Sequence, residues 1–236
     1  MVIGMAEVPA LVLLCKRPSL GHGKQRLARH LGVETAQRVA EALLVCAVED
    51  AGSWPGPVII APASRNDYDW AITLLPPFQP QTLVIPQVSG NLGQRLNALD
   101  LALRRQGINQ LVYIGSDAPN LGLTDYSIAR ERLQQYDTVL KPAIDGGVVL
   151  MSSCCEWPEL SDLPWSTDKL AMALADACQA AGHSVCILEE DSDVDELDDF
   201  MRLTTQLARD HRPARRALHQ LVCDIAAAKK IANAQL

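Results

Sequence analysis

The sequence predicts an α/β fold: one domain with a mostly parallel central sheet, helices on both faces and a helical C-terminal extension. Two observations predict it. Short apolar runs alternate with longer stretches of helical periodicity. The runs are apolar throughout instead of alternating with polar residues, as in strands buried on both faces. No internal repeat appears and no linker separates two units, so residues 1–236 read as one domain, with a core over about 10–203 and a helical tail over about 204–236.

The elements follow in order. Residues 10–15 read as a buried strand, 23–31 as a short helix and 34–51 as a longer one, with Val39, Leu43, Cys46 and Asp50 at successive helical steps. Residues 57–63 and 82–86 are the second and third strands, the latter after the breaker-rich PPFQPQ. Residues 91–105 are helical, with Leu92, Leu96, Leu99 and Leu103 on one stripe. A fourth strand spans 111–116, and Thr124 caps a helix over 124–135. Residues 138–142 and 146–152 are strands around a DGG turn; a helix over 168–182 and a last strand over 185–188 follow. The tail is helical over 196–209 and 213–234. In the last stretch Leu218, Leu221, Val222, Ile225 and Ala228 form a stripe, with Arg215, Arg216, Lys229 and Lys230 mostly elsewhere. Such a stripe packs on its own domain or against a second copy of the chain.

Composition narrows the class. The hydrophobic fraction of 48% is that of a globular chain. A net charge of −7 excludes the broad basic face that nonspecific nucleic-acid binding needs. The start, MVIGMAEVPALVLLCKRP, lacks a basic leader, and its apolar run is too short for a membrane span. The 7 cysteines show no metal spacing; Cys154 and Cys155 are adjacent and the others sit in apolar segments, so buried, reduced thiols of a cytoplasmic protein are expected.

Chemistry concentrates at strand ends. KRPSLGHGKQRLARHLG, residues 16–32, places 5 positive charges and 3 glycines just after the first strand, where ligands of open α/β sheets bind. His22 and His30 in this loop have no second ligand at metal spacing and read as surface residues. VYIGSDAPNL brings Ser116 and Asp117 to the end of the fourth strand, where a carboxylate holds a divalent cation or caps the next turn. Asp145 before Gly146 and Gly147 marks a hairpin turn or a second acid beside a ligand that approaches the glycine backbone. SGNLGQRL opens a helix, with Asn91 as its cap and Arg95 either solvated or facing a ligand. PWST sets Trp165 before a Ser-Thr helix start, and the acidic run Asp193, Asp195, Asp198, Asp199 suits a helix N-terminus or a metal.

In this order these stretches resemble the small bacterial glycosyltransferase-like proteins of the nucleotide-diphospho-sugar transferase superfamily, with a GT-A-type (Rossmann-like) fold. The resemblance runs over about residues 11–203. The loop pattern K-x-P-x-x-G-x-x-K-T-R-L is matched by Lys16, Pro18, Gly21, Lys24, Arg26 and Leu27. G-D-L-G-x-R is matched by Gly90, Leu92, Gly93 and Arg95, and G-x-D-x-P by Gly115, Asp117 and Pro119. P-x-x-D-G-G-Y is matched by Pro142, Asp145, Gly146 and Gly147, and the W-S-T and D-V-D segments by Trp165–Thr167 and Asp193–Asp195. Gln25 stands where the pattern has Thr, Asn91 where it has Asp, Lys141 where it has Gly and Val148 where it has Tyr.

The resemblance implies a transferase that moves a sugar from a nucleotide-diphospho-sugar donor to an acceptor. It also leaves open a nucleotidyltransferase of the phospholactate guanylyltransferase kind, releasing pyrophosphate from an NTP, or a nucleotide-binding module without catalysis. It implies that Lys16, Arg17, Gly21, Lys24, Arg26, Gly93, Arg95 and Ser116 bind the nucleotide. Lys141, Gly146, Gly147 and Trp165 would lie on the substrate side, Asp117 would hold Mg²⁺ or Mn²⁺, and Asp145 would be the second acid or general base.

Overall fold

The computed structural model describes residues 8–21, 23–74 and 82–234, with 230–234 by backbone alone. The breaker-rich 76–81 stretch and His22 lie outside the described residues. The strands are β1 (Ala10–Cys15), β2 (Val58–Pro62), β3 (Thr82–Val84), β4 (Leu111–Ile114), β5 (Thr138–Pro142), β6 (Val148–Ser153) and β7 (Val185–Ile187). The helices are α1 (Gln25–Leu31), α2 (Val33–Gly52), α3 (Tyr68–Ile72), α4 (Leu92–Arg104), α5 (Leu123–Arg132), α6 (Leu170–Ala180), α7 (Leu197–Gln206) and α8 (Pro213–Ala234).

The strands form one sheet in the order β3-β2-β1-β4-β6-β5-β7. Pairings β1–β2, β1–β4, β2–β3 and β5–β7 are parallel; β4–β6 and β5–β6 are antiparallel. The chain runs from β1 outward through β2 and β3, then returns to the other side of β1 as β4. This reversal opens a crevice at the carboxyl ends of β1 and β4, where open α/β sheets bind ligands.

Both faces of the sheet are covered, as the apolar strands require. Alternate residues Leu11, Leu13, Ile60, Val112 and Ile114 pack with Leu44 and Ala47 of α2 and Tyr126 and Ala129 of α5. Their neighbours Val12, Ile59, Leu111, Tyr113 and Met151 pack with Leu96, Leu99 and Leu103 of α4 and Leu174 and Cys178 of α6. A third cluster joins Leu27 of α1, Val39, Leu43 and Cys46 of α2, Phe200 and Leu203 of α7, and Leu218 and Val222 of α8. Leu218 and Val222 of the tail's apolar stripe are thus buried against this chain's own helices, with Leu221 and Ile225 partly covered and Ala228 exposed.

Three local readings change. The α5 helix starts behind Gly122, not at a Thr124 cap; the Gly122 N–H donates to Asp125 Oδ2 at 2.9 Å. The short turn Arg65–Asp67 and α3 are additional elements, opened by the Ser64 side chain accepting from Asn66 N. The cysteines are all free, but only Cys15, Cys46 and Cys178 are buried; Cys154, Cys155, Cys186 and Cys223 are partly exposed. Among the described residues no helix is long and apolar enough to cross a membrane.

Candidate active site

A cavity of about 510 Å³ fills the crevice at the carboxyl ends of β1 and β4. The segment after β1 contributes Lys16, Arg17, Gly23 and Lys24, and the segment after β4 contributes Ser116 and Asp117. Leu92, Arg95 and Leu96 of α4, Met151 of β6, Trp165 and Leu174 form a largely apolar wall. Asp193 and Asp195 close the polar side.

Lys24 ties this polar side together. It caps α1 in a left-handed conformation, φ 45°, which a non-glycine residue adopts only when surrounding contacts hold it. Its side chain is only 7% exposed, and its Nζ lies 3.0 Å from Asp117 Oδ1 and 3.0 Å from Asp195 Oδ1. The same ammonium donates to Val194 O, while Val194 N donates to Asp117 O at 2.9 Å. Burial works to lower the Lys24 pKa, but the attraction and hydrogen bonds of Asp117 and Asp195 outweigh it, and the net shift is upward. Lys24 is thus a charged clamp between the basic loop, the SDAP turn and the D-V-D segment.

A second feature is an excess of negative charge. Carboxylate oxygens of Asp145, Asp193 and Asp195 all lie within 4.8 Å of one another. Backbone pairing explains the approach: Ile144 N donates to Asp191 O at 2.9 Å and Asp191 N to Pro142 O at 3.0 Å, laying the acidic run beside the DGG turn. Burial first, then repulsion from Asp145 and Asp195, pushes Asp193 up to about 6, and Lys24 only partly offsets this. Three clustered oxygen donors, whose negative charge the single Lys24 ammonium only partly offsets, are a fit for a hard divalent cation such as Mg²⁺ or Mn²⁺.

The cavity also holds cationic groups with no carboxylate partner. Arg95 presents a buried Nε without a hydrogen-bond partner, and burial lowers its pKa. Lys16 and Arg17 are exposed at the mouth and make no ion pair among the described residues. A desolvated guanidinium without a counter-ion is stabilised by an anionic ligand.

The predicted site residues divide accordingly. Lys16, Arg17, Lys24, Arg95, Ser116, Asp117 and Trp165 line the cavity. Asp145 stands beside two lining carboxylates, although its Oδ1 also accepts the Gly147 N–H at 2.8 Å and closes the turn. Arg26 does not line the cavity; its exposed Nη1 faces Glu196 at 3.6 Å. Lys141 does not line it either. Its Nζ is directed to Asp125 at 3.1 Å, Asp191 at 3.8 Å and Glu189 O at 3.0 Å, because this position on β5 faces away from the crevice.

The glycines serve packing more than ligand approach. A Cβ on Gly93 would stand 2.0 Å from Leu160 O, so this glycine lets α4 meet the 160–161 backbone. Gly146, with φ +86°, would meet Asp168 O at 2.1 Å. Gly147 completes the Asp145 turn, and Gly21, with φ +74°, has open space around it. Asn91 caps α4 with a reciprocal Gln94 contact, as expected, while Arg95 is turned inward. His30 is exposed. Asp117 stands outside the three-carboxylate group, and its Oδ1 pairs with Lys24. Asp193 and Asp195 carry that group instead, and the D-V-D spacing was their signal in the sequence.

A family profile described as "uncharacterized protein conserved in bacteria (DUF2064)" matches residues 44–167, more than half of the chain. The chain belongs to this family. Among solved structures, a protein from Desulfovibrio desulfuricans G20 described as a nucleotide-diphospho-sugar transferase matches with a TM-score of 0.81, covering 94% of this chain and 96% of its own at 20% identity. A cytidylyltransferase from Leptospira borgpetersenii serovar Hardjo-bovis matches with a TM-score of 0.53, covering 97% of this chain and 96% of its own at 11% identity. These likenesses are of fold. No curated protein matches the chain in sequence.

Proposed function

We propose that this protein is a metal-dependent glycosyltransferase that takes a sugar from a nucleotide-diphospho-sugar donor in the switch-point cavity. One observation carries the reading: a buried, unpartnered Arg95 Nε shares a single cavity with the acidic residues Asp193 and Asp195. Each feature alone is unfavourable. Together they suit a diphosphate, whose oxygens pair with the guanidinium and accept a cation held by the carboxylates.

Arg95, Lys16 and Arg17 bind phosphate oxygens. Lys24 holds Asp117 and Asp195 in place and limits their repulsion. Trp165 is anchored by its Nε1 donating to Leu160 O at 2.8 Å and offers a flat apolar wall to the donor. Asp145, Asp193 and Asp195 are the residues that would hold Mg²⁺ or Mn²⁺; when bound, the cation supplies charge stabilisation for the leaving nucleoside diphosphate. Where Asp193 and Asp195 hold the cation without it, the exposed Asp145 carboxylate is the general base toward an acceptor hydroxyl.

The fold likeness to a cytidylyltransferase supports nucleotidyl transfer as the second reading. Product analysis separates the two. Incubation with Mn²⁺ and a panel of nucleotide-sugars should release nucleoside diphosphate. Pyrophosphate release from an NTP and a phosphorylated acceptor, with no nucleoside diphosphate from any sugar donor, would establish the second reading instead.

A further inference from the structure

Asp137, Cys154 and Cys155 meet at the amino-terminal edge of the parallel strands, the end of the sheet opposite the cavity. Asp137 precedes β5, the two cysteines follow β6, and the Cys154 N–H donates to Asp137 O at 2.9 Å. The antiparallel β5–β6 pairing therefore holds the three residues side by side.

The carboxylate is oriented. Its Oδ2 accepts from Ser184 N at 2.8 Å and Ser184 Oγ at 2.7 Å, just before β7. Its Oδ1 is left facing both sulfurs, 3.8 Å from Cys154 Sγ and 3.6 Å from Cys155 Sγ, with the sulfurs 4.0 Å apart. A tetrahedral zinc ion with bonds of about 2.3 Å to sulfur and about 2.1 Å to oxygen sets edges of about 3.8 Å between sulfurs and about 3.6 Å between sulfur and oxygen. The three atoms already stand close to that spacing. All three residues are partly exposed, so an ion reaches them from solvent. The hydrogen-bonded second oxygen is the outer support that metal-ligating carboxylates use.

We propose that Asp137, Cys154 and Cys155 form a site for a thiophilic divalent cation of the zinc type, with solvent as the fourth ligand. The site is separate from the cavity in ligand chemistry as well as in place. Two sulfurs select a soft or borderline ion, whereas the carboxylates of Asp145, Asp193 and Asp195 select a hard one. On binding, each thiol gives its proton to solvent and each sulfur donates an electron pair to the ion; nothing is oxidised or reduced. The bound ion would join the ends of β5 and β6 to the Ser184 segment that leads into β7.

The test is a cadmium titration of the full chain, reduced and stripped with chelator, followed by the thiolate-to-cadmium charge-transfer absorption. The expected band saturates at one equivalent, is displaced by zinc and survives about a hundredfold excess of magnesium. The Cys154→Ser/Cys155→Ser variant should lack it, and Ser184→Ala should weaken binding by about 10–100-fold. No band in the wild-type chain overturns the site. An unchanged band in the double serine variant also overturns it, by assigning the ion to other thiols. The wild-type and Ser184→Ala titrations decide the matter even where the double variant fails to fold.

Discussion

Arg95 and Arg26 are both arginines of motifs that point to phosphate, yet the fold gives them opposite circumstances. Arg26 is exposed and faces Glu196, so Arg26→Ala should leave ligand affinity nearly unchanged, as for a weak surface pair. Arg95 is half-buried in the cavity, with its Nε enclosed and without a hydrogen-bond partner. A charge-assisted bond to phosphate contributes about 1.5–3 kcal/mol, so Arg95→Ala should weaken nucleoside diphosphate binding by about 10–100-fold in calorimetry, with unchanged circular dichroism. The Asp193 carboxyl gives a pH signature. Its folded value is raised from 3.8 to about 6, so the folded state holds that proton more tightly than the unfolded state. The resulting stability is fully present below the unfolded value and is lost as pH rises through about 6. In cation-free buffer, wild-type stability relative to Asp193→Asn should therefore fall as pH rises from 3.8 to about 6 and level off above that. Urea titrations across that window measure it, and a constant difference would show that Asp193 titrates normally.

At the scale of elements, α8 does more than cover a stripe. Arg215 has no exposed side-chain surface and donates to Asp50 Oδ2 at 2.5 Å, Glu49 Oε2 at 3.0 Å and Pro119 O at 3.1 Å. Asp50 also accepts from Tyr126 Oη at 2.7 Å and Arg212 Nη1 at 2.9 Å. The network joins α8, α2 and α5 to the backbone just after Asp117. Removing one partner of a buried ion pair costs about 3–5 kcal/mol, so Arg215→Ala should lower the urea unfolding free energy by that order. A loss below about 1 kcal/mol would mean that the remaining arginine and tyrosine suffice for Asp50. None of this network was legible in the sequence. Helical periodicity placed Arg215 away from the stripe of Leu218 and Val222, and only tertiary packing shows that this side chain is enclosed between α2 and the 119–121 turn. The strands were legible because Leu11–Leu13 and Val112–Ile114 are apolar on both faces. The turn at 65–67 and α3 were not, since five helical residues carry too little periodicity to read.

Across the whole molecule, a chain of net charge −7 brings Lys16, Arg17 and Arg95, which have no carboxylate partner among the described residues, to one cavity. A local cationic cluster on an acidic protein focuses its field where a polyanion binds. The order of motifs along the sequence located this place: the loop after β1, the turn after β4 and the acidic run all reach the same crevice. It did not reveal which acid pairs with which base. Lys24 and Asp117 look like separate ligand contacts in the sequence but form an internal ion pair, and Lys141 turns to Asp125, because those pairings depend on side-chain direction across the sheet. The central claim is that a diphosphate and a divalent cation occupy this cavity together, and the most direct test is calorimetric titration of nucleoside diphosphates with and without Mn²⁺. The account predicts binding with Mn²⁺, at least about tenfold weaker binding without it, and no strengthening by Mn²⁺ in Asp193→Asn. Binding that is equally tight without the cation, or no binding by any nucleoside diphosphate, would contradict it.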